Sequence, residues 1–145
     1  MFTLSGFADE ISDRLDTQLE VLSRLGVRYL ELRGVWGKNV LELDDVELPR
    51  VKTGLDDAGI RVSAIGSPIG KINIDAPMEP HLDAFARALR AAEFLDCPNI
   101  RIFSFFVPEG EADQHRDEVL RRLELLLKAA SGRPVTLLHE NERHI

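Results

Sequence analysis

Residues 135–142 carry the most unusual chemistry in the sequence, because four apolar or β-branched residues, VTLL, run directly into four polar ones, HENE. A parallel strand that is buried on both faces is expected to be apolar along its length, so this change needs a reason. Glu140 stands at the change, and a carboxylate at a strand end is a suitable oxygen ligand for a divalent cation. The alternative is the solvated start of a loop, and composition alone leaves both interpretations open.

A second charged pair stands in residues 29–33, YLELR. Strand alternation places Glu31 and Arg33 on one face and the two leucines on the other. A charged side chain inside a sheet requires an opposite charge or a polar ligand. The pair therefore predicts either a structural Glu–Arg ion pair at the rim of the sheet or contacts to a bound substrate.

Two glycine-containing loops follow strand-like segments. Residues 66–71, GSPIGK, form a stiff loop in which Ser67, Lys71 and the backbone N–H groups suit an anion such as a sugar phosphate. The spacing differs from that of a P-loop, and an ordinary loop with a solvated lysine is the alternative. Residues 34–39, GVWGKN, place Trp36 where it would either cover a small polar ligand or seal an edge of the core.

Other residues with possible chemistry favour structural roles. Arg101 is flanked by apolar residues, which predicts that it is paired inside the sheet or lies near its bottom. The neighbouring aromatic cluster is expected to be core. His81 and His115 lie near predicted helix starts and are expected to be solvated, and Cys97 is expected to be a small packed residue rather than a nucleophile.

Two hydrophobic periods alternate along the chain and define the elements that position these residues. Short β-rich runs occupy residues 3–8, 27–33, 60–66, 99–105 and 135–140. Four stretches between them carry helical patterns, the second weakened by Gly54. Ser12 is expected to cap the first helix, and Asp44 with Glu47 resembles a capping box for the second. Left-handed glycines are expected where three of the helices end, at positions 26, 59 and 132.

The resulting order is β-α-β-α-β-α-β-α-β, with no hairpin between strands. Because each return passes through a helix, the strands are expected to run parallel with right-handed crossovers. An α/β fold of this kind is either an open doubly wound sheet or a (β/α)8 barrel. In both, functional groups gather at the carboxyl ends of the strands.

Composition excludes several classes of protein. The chain has 145 residues, 18 Lys+Arg against 25 Asp+Glu and a formal net charge of −7, which argues against nucleic acid as a partner. Its single cysteine rules out a disulfide framework. The sequence shows neither a membrane-spanning apolar run nor the features of a signal peptide, so we expect a cytoplasmic protein without a membrane partner.

Taken together, five segments resemble the xylose isomerase-like TIM-barrel family of sugar phosphate isomerases and epimerases. The segments follow in order along nearly the whole chain: GFADEI at 6–11, YLELR at 29–33, SAIGSPIGK at 63–71, RIFSFF at 101–106 and LLHENE at 137–142. The resemblance implies a TIM-barrel-type fold with a divalent metal (Mn, Mg, Co or Zn) at the carboxyl mouth of the barrel.

The resemblance also implies a role for Glu140, which matches the glutamate that closes strand five and is the first metal ligand. The family's remaining ligands, an Asp, a His and a Glu, lie on strands six to eight. The metal holds a ketose carbonyl and its neighbouring hydroxyl while a carboxylate moves the proton of the adjacent carbon. In the epimerase branch the strand-five glutamate is also one of the two acid/base groups, so Glu140 is the predicted catalytic residue.

The expected partner is a small sugar or sugar phosphate. We expect its contacts to come from residues at the carboxyl ends of the strands and in the loops that follow them: Glu31, Arg33, Trp36, Ser67 and Lys71. Two other activities of the same superfamily are alternatives. A zinc-dependent apurinic endonuclease is disfavoured by the charge of −7, and an inosose dehydratase would use the same scaffold.

Length adds a further expectation. Five strands in 145 residues give 29 residues per strand, whereas eight such repeats need roughly 230, near the usual size of a barrel. Residues 1–145 are therefore expected to be the N-terminal portion of a barrel, with about five strands and four helices, cut after strand five. Such a chain is expected to bind metal weakly or not at all and to lack activity alone. It is alternatively a non-enzymatic half-barrel that forms homo-oligomers through its open sheet edges.

Overall fold

Every predicted βα unit is present in the computed structural model, which describes residues 2–142. The helices are α1 Leu15–Arg24, α2 Glu47–Ala58, α3 Glu79–Phe94 and α4 Ala112–Ala130, with a short 3-10 turn at Val40–Glu42. The strands are β1 Ser5–Gly6, β2 Tyr29–Leu32, β3 Gly34–Val35, β4 Lys38–Asn39, β5 Arg61–Ile65, β6 Asn99–Ile102 and β7 Thr136–His139. Within these residues no helix combines the length and apolar character needed to cross a membrane.

The main sheet has five strands in the order β1-β2-β5-β6-β7, and each neighbouring pair is parallel. Spatial order therefore follows chain order, as in one side of a barrel. This confirms the predicted α/β class and the incomplete parallel barrel. The strands are shorter than predicted because their flanking residues form loops rather than ladder hydrogen bonds.

The prediction that no hairpin occurs is wrong, because β3 and β4 form a small antiparallel pair. Trp36 and Gly37 connect them, with φ of 57° and 72°. Positive φ at both central residues is the conformation of a type I′ hairpin turn, which usually carries Asn-Gly or Gly-Gly. Trp-Gly is an unusual pair for such a turn, so Gly37 was the only residue in the sequence that indicated a hairpin here.

The two faces of the main sheet differ. Leu30, Leu32, Ile100 and Ile102 point toward the helices and are buried. On the opposite face the alternate residues are mostly polar, and they are partly buried or, for Thr136, exposed: Tyr29, Glu31, Ser63, Asn99, Arg101 and Thr136. The expectation of a sheet buried on both faces is therefore wrong for residues 2–142. The open polar face corresponds to the interior of a barrel.

Local signals at the helix ends are mostly confirmed. Glycines 26, 59 and 132 all have positive φ. The Asp44 carboxylate accepts the Glu47 N–H at 2.8 Å, while the Glu47 carboxylate accepts the Asp44 N–H at 3.1 Å, as in a capping box. Ser12 does not cap the first helix, because α1 begins at Leu15 and the Ser12 hydroxyl accepts the N–H of Arg14 outside it.

Gly54 has a packing reason for its place inside α2. A Cβ at this position would lie 3.1 Å from a methyl of Leu15 and 3.2 Å from one of Leu19. The glycine therefore lets α1 and α2 approach closely, which offsets the helix propensity that it costs.

The loop at residues 66–71 is fixed against the end of β6. The Ser67 hydroxyl donates to the Arg101 carbonyl at 2.5 Å, and the Phe103 N–H donates to the Ile69 carbonyl at 2.7 Å. Gly70 adopts φ +97°, and a Cβ there would lie 2.1 Å from the Phe103 carbonyl oxygen. Glycine is therefore required for this close approach.

Replacing Gly70 by alanine is expected to lower the free energy of unfolding by about 3 kcal/mol, because it adds backbone strain and a clash with β6. Urea unfolding measures the loss. Gly6→Ala is the matched control, since a Cβ at Gly6 would meet no atom within 4 Å. Equal effects of the two substitutions would contradict the assigned packing.

Candidate active site

The inner face of the sheet brings together two glutamates that are distant in sequence. Arg101 on β6 lies between them, with its Nη1 3.1 Å from Glu31 Oε1 and 3.1 Å from Glu140 Oε2. The register pairs Arg101 with Leu138, so Glu140, two residues farther on, projects to the same face. The three side chains meet at the carboxyl end of the sheet, and Arg101 links the two predicted site residues.

Two aromatic rings hold the Arg101 guanidinium. Its Cζ lies 5.1 Å from the ring centroid of Phe7 and 5.1 Å from that of Phe103. Cation–π contacts of this length favour a positive charge at this position. The Arg101 side chain is 12% exposed, whereas that of Glu140 is 45% exposed. Glu140 is thus the accessible member of this group.

The polar atoms of this group are incompletely satisfied. Glu31 Oε1 and Arg101 Nε are buried and lack a hydrogen-bond partner within residues 2–142. The 3.1 Å contact between Arg101 and Glu31 is thus an ion pair without hydrogen-bond geometry. Burial raises the pKa of the Glu31 carboxyl, and the charge of Arg101 opposes that rise. Such unsatisfied groups are suited to bind a polar ligand.

Arg33 does not form an ion pair with Glu31. Its guanidinium binds Asp9 Oδ2 at 2.7 Å and Glu10 Oε1 at 3.0 Å, and it stacks on Phe7 at 4.5 Å. Neighbours on the same strand face are about 6.6 Å apart along the strand, and Arg33 instead reaches the loop after β1. Sequence reasoning missed Asp9 and Glu10 as site residues, although both lie in a segment that carries the family resemblance.

The other predicted contact residues are occupied by protein contacts. Lys71 Nζ lies 2.5 Å from Glu142 Oε2 and 4.2 Å from the ring centroid of Phe103. Ser67 is buried, and its hydroxyl is used by the Arg101 carbonyl. Trp36 packs against the core, and its ring centroid lies 4.7 Å from the Arg50 guanidinium.

His81 is not solvated as expected. It is 8% exposed, and its Nε2 accepts the Gly70 N–H at 2.8 Å. This bond requires a neutral ring with the proton on Nδ1. Burial lowers the pKa of His81, and the nearby charge of Arg122 lowers it further. The sequence offered no signal for this, since the partner lies in another element.

Two further residues lie largely as predicted. Cys97 is buried, and burial raises the pKa of its thiol, so it is a packed residue and not an activated nucleophile. His115 is partly exposed, and its Nε2 lies 3.4 Å from Glu111 Oε2.

Glu140 supplies one carboxylate of the type that binds divalent cations. The part of the chain that the structure describes contains no group of three His, Cys, Asp or Glu side chains that would hold a metal ion. Glu140 therefore fits as a single ligand, and these residues do not complete a coordination sphere.

A parallel sheet whose strand order follows the chain order, with charged groups at the carboxyl ends of the strands, is the arrangement of the TIM-barrel class. The model of the xylose isomerase-like TIM barrel family matches residues 19–144, and the chain belongs to that family. A search of curated proteins gives no match to this chain.

Solved structures share the fold at low sequence identity. A xylose isomerase-like TIM barrel protein from Mycobacterium smegmatis in complex with magnesium has a TM-score of 0.74 and 16% identity, over 99% of this chain and 56% of that one. A 3-keto-D-glucoside 4-epimerase from E. coli has a TM-score of 0.68 and 16% identity, over 92% of this chain and 53% of that one. A probable 3-DHS dehydratase from Bacillus anthracis has a TM-score of 0.66 and 17% identity, over 87% of this chain and 46% of that one. The chain thus spans about half the length of these structures.

The His81 contact predicts a pH dependence of stability. The folded-state pKa lies below the ordinary value of 6.5. The neutral ring therefore contributes fully above pH 6.5, and this stability is lost as the pH falls below 6.5, at up to about 1.4 kcal/mol per pH unit. Urea unfolding at several pH values measures it.

His81→Gln keeps an acceptor for the Gly70 N–H and removes the titration, so its stability is expected to depend less on pH than that of the wild type. His115→Gln is the control and is expected to retain the wild-type dependence. An unchanged pH profile in H81Q would refute the assignment.

Proposed function

We propose that the protein is a sugar isomerase or epimerase that moves a proton at the carbon beside a ketose carbonyl, with Glu140 as an acid/base group. The observation that carries this proposal is the convergence of Glu31 and Glu140 on Arg101 at the carboxyl end of the sheet. Two carboxylates in such a setting are typical of proton-transfer chemistry. The epimerase from E. coli, which shares the fold, supports the same class of reaction.

The different exposure of Glu140 and Glu31 suits them to different roles. Glu140 is accessible and can reach a bound sugar or a cation, whereas Glu31 is more buried and its Oε1 lacks a hydrogen-bond partner in the described chain. Glu31 is therefore suited to accept a hydrogen bond from a substrate hydroxyl. Arg33, held by Asp9 and Glu10, lines the same end of the sheet.

A divalent cation, Mn, Mg, Co or Zn, would be held by Glu140 together with ligands outside residues 2–142. When bound, it would stabilise the negative charge that develops on the substrate oxygens. The relative from M. smegmatis is a complex with magnesium, which supports a divalent cation in this family.

Charge at the mouth favours an unphosphorylated sugar. Within residues 2–142 each cation there already contacts a carboxylate: Arg33 with Asp9 and Glu10, Arg101 with Glu31 and Glu140, and Lys71 with Glu142. A phosphate would have to displace one of these carboxylates. Neutral hydroxyl groups can instead bind the carboxylates that are present.

A dehydratase is the second candidate, because it begins with the same removal of a proton beside a carbonyl, and the relative from B. anthracis is a probable dehydratase. An endonuclease is disfavoured by the net charge of −7 and by the pairing of the three mouth cations. A non-enzymatic, self-associating half-barrel is favoured by one observation, which is that β7 pairs on one side only in the described chain.

Exchange of substrate protons in D2O tests the proposed reaction. The 145-residue chain is expected to give no Mn²⁺-dependent exchange with ketoses or inososes, since its described residues supply one carboxylate ligand. Once further strands complete the barrel, exchange is expected, and Glu140→Gln is expected to reduce it by at least about 100-fold. The matched control is Glu111→Gln, on the loop before α4.

Mn²⁺-dependent exchange by the 145-residue chain would contradict the need for further ligands. Full exchange by E140Q in the completed barrel would contradict the role of Glu140. Recovery of an epimer distinguishes the leading proposal from a dehydratase, whose product has lost water.

Self-association is tested by size-exclusion chromatography. In the described chain β7 pairs on one side only, its Leu138 is 41% exposed, and Leu127 on α4, the helix that precedes β7, is 59% exposed. The isolated chain is expected to elute as a dimer or larger species through this edge. Leu127→Glu is expected to shift it toward monomer, whereas Leu25→Glu at the end of α1 is not. A compact wild-type monomer would contradict the proposal.

A further inference from the structure

A cavity of about 320 Å³ lies beside Arg33, where the loop after β1 meets the β3–β4 hairpin. We propose that this cavity is a subsite for a neutral, hydroxyl-rich ligand, in which Asp9 accepts a hydrogen bond from a ligand hydroxyl and thereby determines specificity. The inference rests on the proposed function in one respect, namely that the ligand is a sugar. It adds a contact region separate from the two glutamates that meet Arg101.

Asp9 has one carboxylate oxygen in use and one without a partner. Its Oδ2 accepts from Arg33 Nε at 2.7 Å, whereas its Oδ1 is buried and has no hydrogen-bond partner within residues 2–142. A buried carboxylate oxygen that lacks a donor is destabilising, so a donor supplied by a ligand would stabilise it. In a neutral sugar the donors are hydroxyl groups, and Asp9 is therefore suited to accept from one of them.

Hydrogen-bond donors line the same cavity. Arg33 uses Nε for Asp9 and Nη2 for Glu10, and Asn39 uses its side-chain oxygen for the Leu41 N–H at 3.0 Å. In the described chain Arg33 Nη1 and Asn39 Nδ2 are thus left with unused N–H groups at the cavity. Because a hydroxyl both donates and accepts, this combination of an acceptor and donors matches a sugar.

The charges of the lining disfavour an ionic ligand. Arg33 is paired with Asp9 and Glu10, and Lys38 is paired with Glu47 at 2.5 Å. An anion such as a sugar phosphate would have to break one of these pairs and approach the Asp9 carboxylate. A neutral ligand leaves the ion pairs in place, so the cavity favours hydroxyl groups over phosphate.

The backbone of the hairpin is fixed in the shape that forms the cavity. Trp36 has φ 57°, which is rare for a bulky residue, and its N–H donates to the Asp13 carbonyl at 2.5 Å. Backbone in such a conformation is concentrated at binding sites. A Cβ on Gly34 would lie 3.1 Å from the Lys38 carbonyl oxygen and 3.4 Å from Asp9 Oδ2, so glycine lets the loop and the hairpin approach closely.

The cavity also adjoins the proposed catalytic group. The Arg33 Cζ lies 4.5 Å from the ring centroid of Phe7, and the Arg101 Cζ lies 5.1 Å from the same centroid. Both guanidiniums thus lie against one ring. This arrangement places the cavity beside the group that contains Glu140.

Titration of D-fructose into the nitrogen-15-labelled 145-residue chain, followed by NMR, tests the proposal. A small neutral ligand in a preformed cavity is expected to have a dissociation constant on the order of a few millimolar. We expect amide shifts at Gly34 and Gly37, which line the cavity, and none at Gly132. Fructose 6-phosphate is expected to shift the same glycines with at least about threefold weaker affinity.

Asp9→Asn is expected to weaken fructose binding at least about fivefold, because it removes the charged acceptor. Glu10→Gln is the matched control and is expected to stay within about twofold, since it removes the other carboxylate on Arg33 from outside the cavity lining. Equal losses in the two variants would mean that Asp9 merely holds Arg33, and would overturn the proposal.

Absence of fructose binding, or shifts that avoid Gly34 and Gly37, would also overturn the proposal. If D9N does not fold, Asn39→Asp takes its place, because it keeps the oxygen that accepts the Leu41 N–H and removes the amide donors. It is expected to weaken binding at least about threefold, and unchanged binding would contradict the assigned lining.

A completed barrel separates this inference from the proposed function. Fructose binding at the cavity without any turnover would refute the proposed function alone. Turnover in which D9N leaves the KM unchanged would refute the subsite alone.

Discussion

The ion pairs of Arg101 depend on the register of the whole sheet. Glu31 comes from β2 and Arg101 from β6, and β5 lies between these strands. The contact therefore crosses β5, whose Ala64 is the register partner of Glu31. A shift of one residue in either strand would turn Arg101 or Glu31 toward the helices, where charge is costly.

A second constraint supports the same end of the sheet from outside. The loop at 66–71 is fixed by Gly70 against β6 and by His81 from α3. Lys71 at its end is thereby brought over Phe103, one of the two rings that hold Arg101. The packing of α3 and the charges of the mouth are thus connected through one loop, in which Ser67 and Lys71 both have protein partners.

The open inner face connects the structure to its family. Structures of the same fold are about twice as long as this chain, and a closed barrel buries such a face among the side chains of its other strands. In residues 2–142 the face is polar and carries paired charges in place of a packed apolar core. At the carboxyl ends of its strands the described chain carries five paired carboxylates and three paired cations.

The sequence by itself determined the four helices, the five strands of the parallel sheet and the family, because these depend on local signals: hydrophobic period, left-handed glycines and the change from VTLL to HENE. It also placed Glu31 and Glu140 at strand ends. The sequence did not predict which residues form contacts with them. Alternation shows which face a side chain takes, whereas Arg101 meets Glu31 and Glu140 only after three strands are aligned, and His81 meets Gly70 only after α3 packs on the sheet. Those contacts join residues far apart in sequence, so the tertiary structure alone decided them.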